Sequence, residues 1–399
     1  MSQLHFVEKL LGGAKVEWKA LGEVAKNISS GGTPRTGVLE YYGGNIPWLR
    51  TQEVNFNEIW DTGVKITDAG LKNSSAKWIP ENCVIIAMYG ATVGKVGINK
   101  IPMATNQACA NIHIDESIAN YRYVFYYLSS KYEYIKSLGA GSQTNINAQV
   151  VKKIQIPIPH LAIQAEIVRI LDNFTELTAE LTAELTARKK QYEYYREQLL
   201  TFAEGQVEWK TLGEVGKIRM CKRIFKDQTS DTGDIPFYKI GTFGKEPDAF
   251  ISRELFDEFR KKYSYPKVGE VLISASGTIG RAVIFDGQVA YFQDSNIVWI
   301  ENDERSVLNK YLYYFYQTAE WNPSDGGVIK RLYNDNLKKV KIPIPYANNP
   351  EKSLAEQARI VAILDKFDTL TNSITEGLPR EIALRQQQYE YYREQLLTF

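Results

Sequence analysis

The strongest constraint on this chain is that it carries the same landmarks twice, in the same order. Val16-Glu17-Trp18-Lys19, followed by Leu21-Gly22-Glu23-Val24, returns 191 positions later as Val207-Glu208-Trp209-Lys210 followed by Leu212-Gly213-Glu214-Val215. Lys152-Lys153-Ile154-Gln155-Ile156-Pro157-Ile158-Pro159 returns 186 positions later as Lys338-Lys339-Val340-Lys341-Ile342-Pro343-Ile344-Pro345. Gln164-Ala165-Glu166-Ile167-Val168-Arg169-Ile170-Leu171-Asp172 returns as Gln357-Ala358-Arg359-Ile360-Val361-Ala362-Ile363-Leu364-Asp365, and QYEYYREQLLTF at 191–202 is repeated unchanged at 388–399. Between the landmarks, 26–151 and 217–337 differ almost completely. A period this long is not that of a solenoid; it is an internal duplication in which each copy has a variable body followed by a constant segment. The leading arm takes part as well, since Glu8-Lys9-Leu10-Leu11 before Val16 echoes Glu197-Gln198-Leu199-Leu200 before Val207. The arm therefore reads as a continuation of the C-terminal helix, which places the termini close together and relates the halves by a pseudo-twofold axis.

The constant segments read as long helices. Ile163, Ile167, Ile170, Phe174, Leu177 and Leu181 step 4-3-4-3-4, a heptad seam. Leu185 then follows Leu181 by four, because Thr178-Ala179-Glu180-Leu181 is followed directly by Thr182-Ala183-Glu184-Leu185. Such a four-residue insertion is a stutter, which unwinds a supercoil locally without breaking the helix. The seam resumes at Tyr192, Tyr195, Leu199 and Phe202. The second copy runs Ile360, Ile363, Phe367, Leu370 and Ile374, and resumes at Tyr389, Tyr392, Leu396 and Phe399. Gly377-Leu378-Pro379 between these runs is expected to kink or interrupt it. The two seams predict antiparallel packing.

The bodies, 16–160 and 206–350, read as mixed α/β. Short β-rich runs such as Cys83 to Ala87 and Glu270 to Ser274 are bounded by Gly and Asn, as strands are. The aromatic runs Tyr121 to Ile135 and Tyr311 to Trp321 read as helices whose rings pack in the core. Gly90-Ala91-Thr92-Val93-Gly94-Lys95 and Ser276-Gly277-Thr278-Ile279-Gly280-Arg281 lack the spacing of a phosphate loop. They read instead as tight turns that each present one basic side chain. The three histidines (His5, His113, His160) and three cysteines (Cys83, Cys109, Cys221) are dispersed, so no metal cluster, Ser/His/Asp set or disulfide framework is indicated. Neither Asn322-Pro323-Ser324 nor Asn349-Pro350-Glu351 has the Pro and aromatic of an adenine-methylating site. By exclusion the chain binds rather than catalyses. The leading sequence is not a signal peptide and no run approaches a membrane span, which fits a cytoplasmic protein.

Duplicated IPIP boundaries, two variable bodies, the QAEIVRILD helix and the tandem Thr-Ala-Glu-Leu together resemble the specificity subunit of a type I restriction–modification enzyme, in the subgroup with such spacer repeats. The resemblance covers essentially the whole chain. It implies an α+β architecture: two mixed α/β target-recognition domains in pseudo-twofold arrangement, separated by two long antiparallel helices forming a coiled coil. The corresponding boundaries are an arm at 1–15, domain one at 16–160, a helical spacer at 161–205, domain two at 206–350 and a second spacer at 351–399. It further implies that each domain reads one half of a bipartite double-stranded DNA target while the helices set the gap and dock two methyltransferase subunits. Restriction subunits add to these, and S-adenosylmethionine is bound by the methyltransferase subunits, with no cofactor, metal or catalytic group on this chain. A non-catalytic coiled-coil scaffold or adhesion-type protein, and an enzyme with methylation built in, are the competing readings.

Arg suits guanine and Asn or Gln suits adenine in the major groove. Domain one offers Thr33, Arg35, Arg50, Gln52, Lys95, Asn106, Gln107, Gln143 and Asn145 as DNA-binding candidates. Domain two offers Lys217, Arg219, Lys222, Arg223 and Lys226, five bases in ten residues, with Lys239, Arg281, Lys330 and Arg331. The net charge of +1 lacks the basic footprint usual for a DNA partner. Resolved by segment, 1–160 carries +4 and 206–350 carries +2, while 161–205 and 351–399 carry −3 and −2. Such modest positive charge predicts that the chain alone binds DNA weakly and that partners supply much of the phosphate contact.

Overall fold

The computed structural model describes residues 11–13, 15–139, 145–203, 205–323 and 330–399. Its contacts divide the chain into two compact units, 1–181 with 382–399, and 182–381.

In the first unit, the repeated boundary motifs are each other's partners. Strand Glu17–Ala20 pairs antiparallel with Gln155–Ile158, Glu17 opposite Ile158 and Ala20 opposite Gln155. This ribbon has only two strands, so Pro157 and Pro159 interrupt no central ladder. The body between them is built on a five-stranded sheet in the order Ala25–Ser30, Cys109–Ile114, Val84–Ala87, Val96–Asn99 and Asn57–Ile59. The central strand Val84–Ala87 is apolar throughout because both its faces are covered. Val84 and Ile86 point into a core with Tyr123, Val124 and Leu128 of helix Tyr121–Ser130. Ile85 and Ala87 point the other way, into a second core with Leu49 and Met103. Leu49 and Met103 belong to a smaller sheet ordered Lys65–Ile66, Tyr42–Leu49, Met103–Thr105, Trp78–Ile79.

The second unit repeats this design despite its different sequence. Val207–Thr211 pairs with Lys341–Pro345, Val207 opposite Pro345. The main sheet runs Gly216–Arg219, Ile297–Asn302, Val271–Ser274, Ala282–Ile284. Val271 and Ile273 face Tyr311, Leu312 and Phe315, whereas Leu272, Ile297 and Trp299 face Phe237 and Tyr291 of the small sheet. That sheet is ordered Phe250–Ile251, Ile235–Tyr238, Tyr291–Phe292, and its parallel pair matches the parallel pairing of Trp48-Leu49 with Ala104-Thr105 in the first unit. The tyrosine-rich helix here is Asn309–Tyr316, shorter than the sequence run to Trp321 suggests. The chain leaves the helix after Tyr316, and the Trp321 indole returns to donate to the Tyr316 carbonyl at 3.2 Å.

The helix Leu161–Leu200 is continuous for 40 residues, about 60 Å, through the stutter. Thr178 and Thr186 return their hydroxyls to the carbonyls of Phe174 and Thr182 at 2.8 and 2.9 Å, four residues back in the same helix. Its early turns bury Ile167, Val168 and Leu171 in the first unit's core with Leu396 and Leu397 of helix Leu378–Leu397, and Phe174 stacks on Tyr392. Its late turns bury Tyr192 and Leu200 in the second unit's core with Ile360 and Leu364 of helix Pro350–Asn372, and Tyr192 and Tyr195 stack on Phe367. Within each unit the partner residue number falls as the helix number rises, which is the antiparallel order. Residues 373–377 break the second strand of this pairing. Gly377 holds φ +53°, and a side chain there would come within 2.2 Å of the Thr369 carbonyl. Pro379 then sits in the first turn of the next helix, where its missing N–H has no cost.

Candidate nucleic-acid interface

Loops at one end of each body are joined by backbone hydrogen bonds. In the first body, Asn106 N–H reaches the Leu49 carbonyl at 2.9 Å and Gly32 N–H the Thr105 carbonyl at 2.9 Å. A Cβ on Gly31 would stand 1.8 Å from that same Thr105 oxygen, so only glycine lets the 31–35 loop lie this close. Thr33 donates to Gln107. Thr92, in the turn Gly90–Thr92, donates to the Thr51 carbonyl at 2.9 Å, joining the hairpin tip to Arg50 and Gln52. Ile146 N–H closes on the Met88 carbonyl at 3.0 Å, which brings Asn145 to the same edge. Gln143 lies outside the described residues.

The second body makes the corresponding bonds with other side chains. Gln293 N–H reaches the Tyr238 carbonyl at 3.0 Å, as Asn106 does with Leu49, and Leu332 N–H reaches Ala275 at 2.7 Å, as Ile146 does with Met88. Asn145 and Arg331 therefore hold equivalent positions. The turn after the small-sheet strand is one residue longer in the second body. Met88 N–H meets the Ala108 carbonyl and Ala275 N–H meets that of Asn296, with Ser295 absorbing the insertion at φ +53°.

The candidate bases differ sharply in what already neutralises them. Arg219 is paired with Glu301 at 2.7 Å, Arg223 with Asp294 at 2.9 Å, Lys239 with Asp248 at 2.9 Å and Arg50 with Glu53 at 3.2 Å. The hydrogen bond from Arg219 is the main reason Glu301 is held below its usual carboxylate range. Gln52, with its amide oxygen toward Arg50, accepts from that guanidinium at 3.2 and 3.3 Å. Lys95 does not project freely from its turn. It is half-buried, bonded to Asn55 Oδ1 at 2.7 Å and lies 6.0 Å over the Phe56 ring. Arg281 spends one nitrogen on the Phe243 carbonyl at 2.9 Å, and Lys222 lies 5.2 Å over Tyr263. Arg35, Lys217, Lys226, Lys330 and Arg331 are exposed and meet no carboxylate among the described residues. Among the described residues, Arg331 is held by a side-chain bond, Nη2 to Asn296 Oδ1 at 3.0 Å, and that oxygen also accepts from the buried Ser276 hydroxyl at 2.8 Å.

Residues 14–188 and 205–384 each match the family described as type I restriction modification DNA specificity domain. The chain belongs to this specificity-subunit family. A putative type I restriction enzyme specificity subunit of Haemophilus influenzae is 50% identical over 99% of this chain and 98% of its own length. A type I restriction enzyme specificity subunit of Escherichia coli is 35% identical over 100% and 98%. Among solved structures, the S subunit of a type I restriction–modification system from M. genitalium covers 97% of this chain and 98% of its own, with a TM-score of 0.55 at 16% identity. A chain from a study of type I system assembly and conformational transition reaches 0.60 at 16% identity, covering 96% and 98%. The specificity-subunit fold thus persists where little sequence does. Asn296 and Ser276, which hold Arg331, escape a reading from sequence because the longer turn shifts the spacing of the two bodies. Gln164, Asp172 and their copies were visible inside a duplicated motif, but helical periodicity hides that they are polar attachments.

Proposed function

We propose that this chain is the DNA-reading subunit of a type I restriction–modification complex, recognising a bipartite double-stranded target with one body per half-site. The observation that carries this reading is one fold built twice with the same closures and with different polar groups on equivalent loops, Asn145 against Arg331 and Asn106-Gln107 against Gln293-Asp294-Ser295. Two sets of side chains at the same place in two copies of one fold read two sequences. The helices set the separation of the half-sites and, with their identical dodecamers at 191–202 and 388–399, dock two methyltransferase subunits, to which restriction subunits add. S-adenosylmethionine belongs to those methyltransferase subunits, and this chain contributes recognition without catalysis in the cytoplasm. The tandem Thr-Ala-Glu-Leu places it in the subgroup that adjusts spacer length by such repeats. Internal pairing of Arg219, Arg223, Lys239 and Arg50 takes four of the candidate bases out of the modest positive charge of the bodies, so the partners supply much of the phosphate contact.

The test is to co-express the chain with and without a cognate methyltransferase subunit and map methylated adenines. Methylation at one bipartite motif only when both are present is the expected result. Methylation by this chain alone would refute the non-catalytic reading, and a motif without a split would refute the one-body-per-half-site reading.

A further inference from the structure

The duplicated helix motif makes the same polar attachment in each unit. Gln164 is wholly buried; its Oε1 accepts from Asn120 N–H at 2.8 Å, and its Nε2 donates to the carbonyls of Pro159 at 2.8 Å and Ile118 at 3.3 Å. Gln357, also wholly buried, accepts from Leu308 N–H at 2.9 Å and donates to the Ser306 carbonyl and the Ser353 hydroxyl, both at 3.1 Å. Asn120 and Leu308 are the residues from which the two tyrosine-rich helices start. Eight residues further on, Asp172 accepts from the Tyr126 hydroxyl at 2.6 Å and from Arg122 Nη2 at 2.7 Å. Asp365 accepts from the Tyr314 hydroxyl at 2.6 Å and from Lys310 at 2.7 Å. Burial opposes the charge on Arg122, but its bonds to Asp172 and Glu58 outweigh that and hold it firmly protonated.

We propose that Gln164 with Asp172, and Gln357 with Asp365, are positioning residues that fix the angle at which each body stands on its helix, and through it the spacing of the half-sites that are read. This rests on the DNA-reading function proposed above. The apolar residues between them, Ile167, Val168 and Leu171 or Ile360, Val361 and Leu364, bury area without direction, and burial alone tolerates small rotations. Directional bonds at two points about 12 Å apart on the helix select one orientation. A domain of this size has a radius of gyration of about 15 Å, so its far loops stand roughly 30 Å from the helix. A tilt of about 6° then moves them by the roughly 3.4 Å of one base-pair step. The two attachments are unequal. Arg122 also grips Glu58 of strand Asn57–Ile59, whereas Asp365 is the one carboxylate that ties Lys310 among the described residues.

The experiment maps methylated adenines for the assembled complex carrying Asp365→Ala, Tyr314→Phe or Asp172→Ala. Wild-type complex is expected to methylate the half-sites at one spacing. Asp365→Ala and Tyr314→Phe are expected to raise the share of sites one base pair longer or shorter by about tenfold with unchanged half-site bases, and Asp172→Ala by less. Ile360→Val, which trims the apolar contact only, lowers the melting temperature and keeps the single spacing. If Asp365→Ala does not assemble, Tyr314→Phe, which removes one hydroxyl, decides the matter. A single spacing retained by the assembled variants, or a change in half-site bases, overturns the proposal. A wild-type map without a bipartite motif refutes the function itself, so the two failures are distinguishable.

Discussion

Arg331 offers the sharpest test of which side chains read bases. Its guanidinium is exposed, meets no carboxylate among the described residues, and uses one nitrogen on the neutral Asn296 amide. That leaves a positioned fork whose charge is not cancelled, the geometry that matches guanine O6 and N7. A bidentate arginine–guanine pair is worth about 1–3 kcal/mol of discrimination, or roughly 5- to 150-fold. Removal should leave the fold nearly untouched. The Asn296 oxygen keeps its bond from Ser276 at 2.8 Å, the bridge to Ser276 runs through the Arg331 backbone, and an exposed substitution typically costs less than about 0.5 kcal/mol. Arg331→Ala is therefore expected to relax one guanine position in one half-site to any base, with the other half-site and the spacing unchanged. Arg331→Lys keeps the charge but loses the fork, so it should relax the same position while the salt dependence of binding stays as in wild type. The readout is the methylated-adenine map of the co-expressed complex, with binding measured at several salt concentrations. An unchanged motif in Arg331→Ala refutes the assignment, and so does a uniform loss across all sequences, which is the behaviour of a phosphate contact.

Deleting Thr182 to Leu185 removes about 6 Å of helix and is expected to shorten the methylated spacer by one or two base pairs with both half-sites retained. Leu171→Ala, at a position with no exposure in the first core, is expected to cost about 2–5 kcal/mol in urea unfolding, and a loss below 1 kcal/mol would contradict its place there. Burial pushes the thiols of Cys83, Cys109 and Cys221 up to about 12, so the native protein at pH 8 should resist alkylation and react at all three cysteines only when unfolded. Burial likewise raises the core tyrosines, Tyr127 and Tyr265 to about 12 and Tyr123 and Tyr311 higher still. An acid whose folded pKa is raised gives full stability below its unfolded value near 10 and loses it above, by about 1.4 kcal/mol per group and pH unit. Ionisation of these four tyrosines should therefore wait for unfolding above pH 10; a tyrosine absorbance change that reaches its full amplitude while the chain is still folded would refute the burial argument.

Sequence revealed the halves and their closures because those depend on the identity of particular residues. The VEWK and IPIP motifs pair strand to strand, and the hydroxyls of Tyr123 and Tyr311 reach the carbonyls of Pro157 and Pro343, both at 2.8 Å. Strand Val84–Ala87 and the burial of the aromatic helices were legible for the same reason, since an apolar run without polar relief needs cover on both faces. The duplication implied one fold for 26–151 and 217–337, but sequence concealed which of their residues correspond. A strand covered on both faces asks only that its residues be apolar and small enough to pack, so Val84-Ile85-Ile86-Ala87 and Val271-Leu272-Ile273-Ser274 serve equally and little identity remains. The ion pairing of the candidate bases was equally hidden. Arg219 meets Glu301 across 82 positions and Arg223 meets Asp294 across 71, distances over which composition carries no pairing information.

These two kinds of residue divide the labour of the molecule. Gln164 and Gln357 satisfy backbone groups, and Asp172 and Asp365 satisfy a tyrosine hydroxyl and a basic side chain, so one change there leaves a polar group without its partner and is costly. The loop positions occupied by Asn145 and Arg331 hang on backbone bonds from the next residue, Ile146 to Met88 and Leu332 to Ala275, which any side chain leaves intact. A body held this way can change what it presents without changing how it is held. That asymmetry accounts for a duplication whose landmarks stay nearly fixed while its bodies diverge: alteration at the attachments loses the geometry of reading, and alteration at the loops changes only the sequence read.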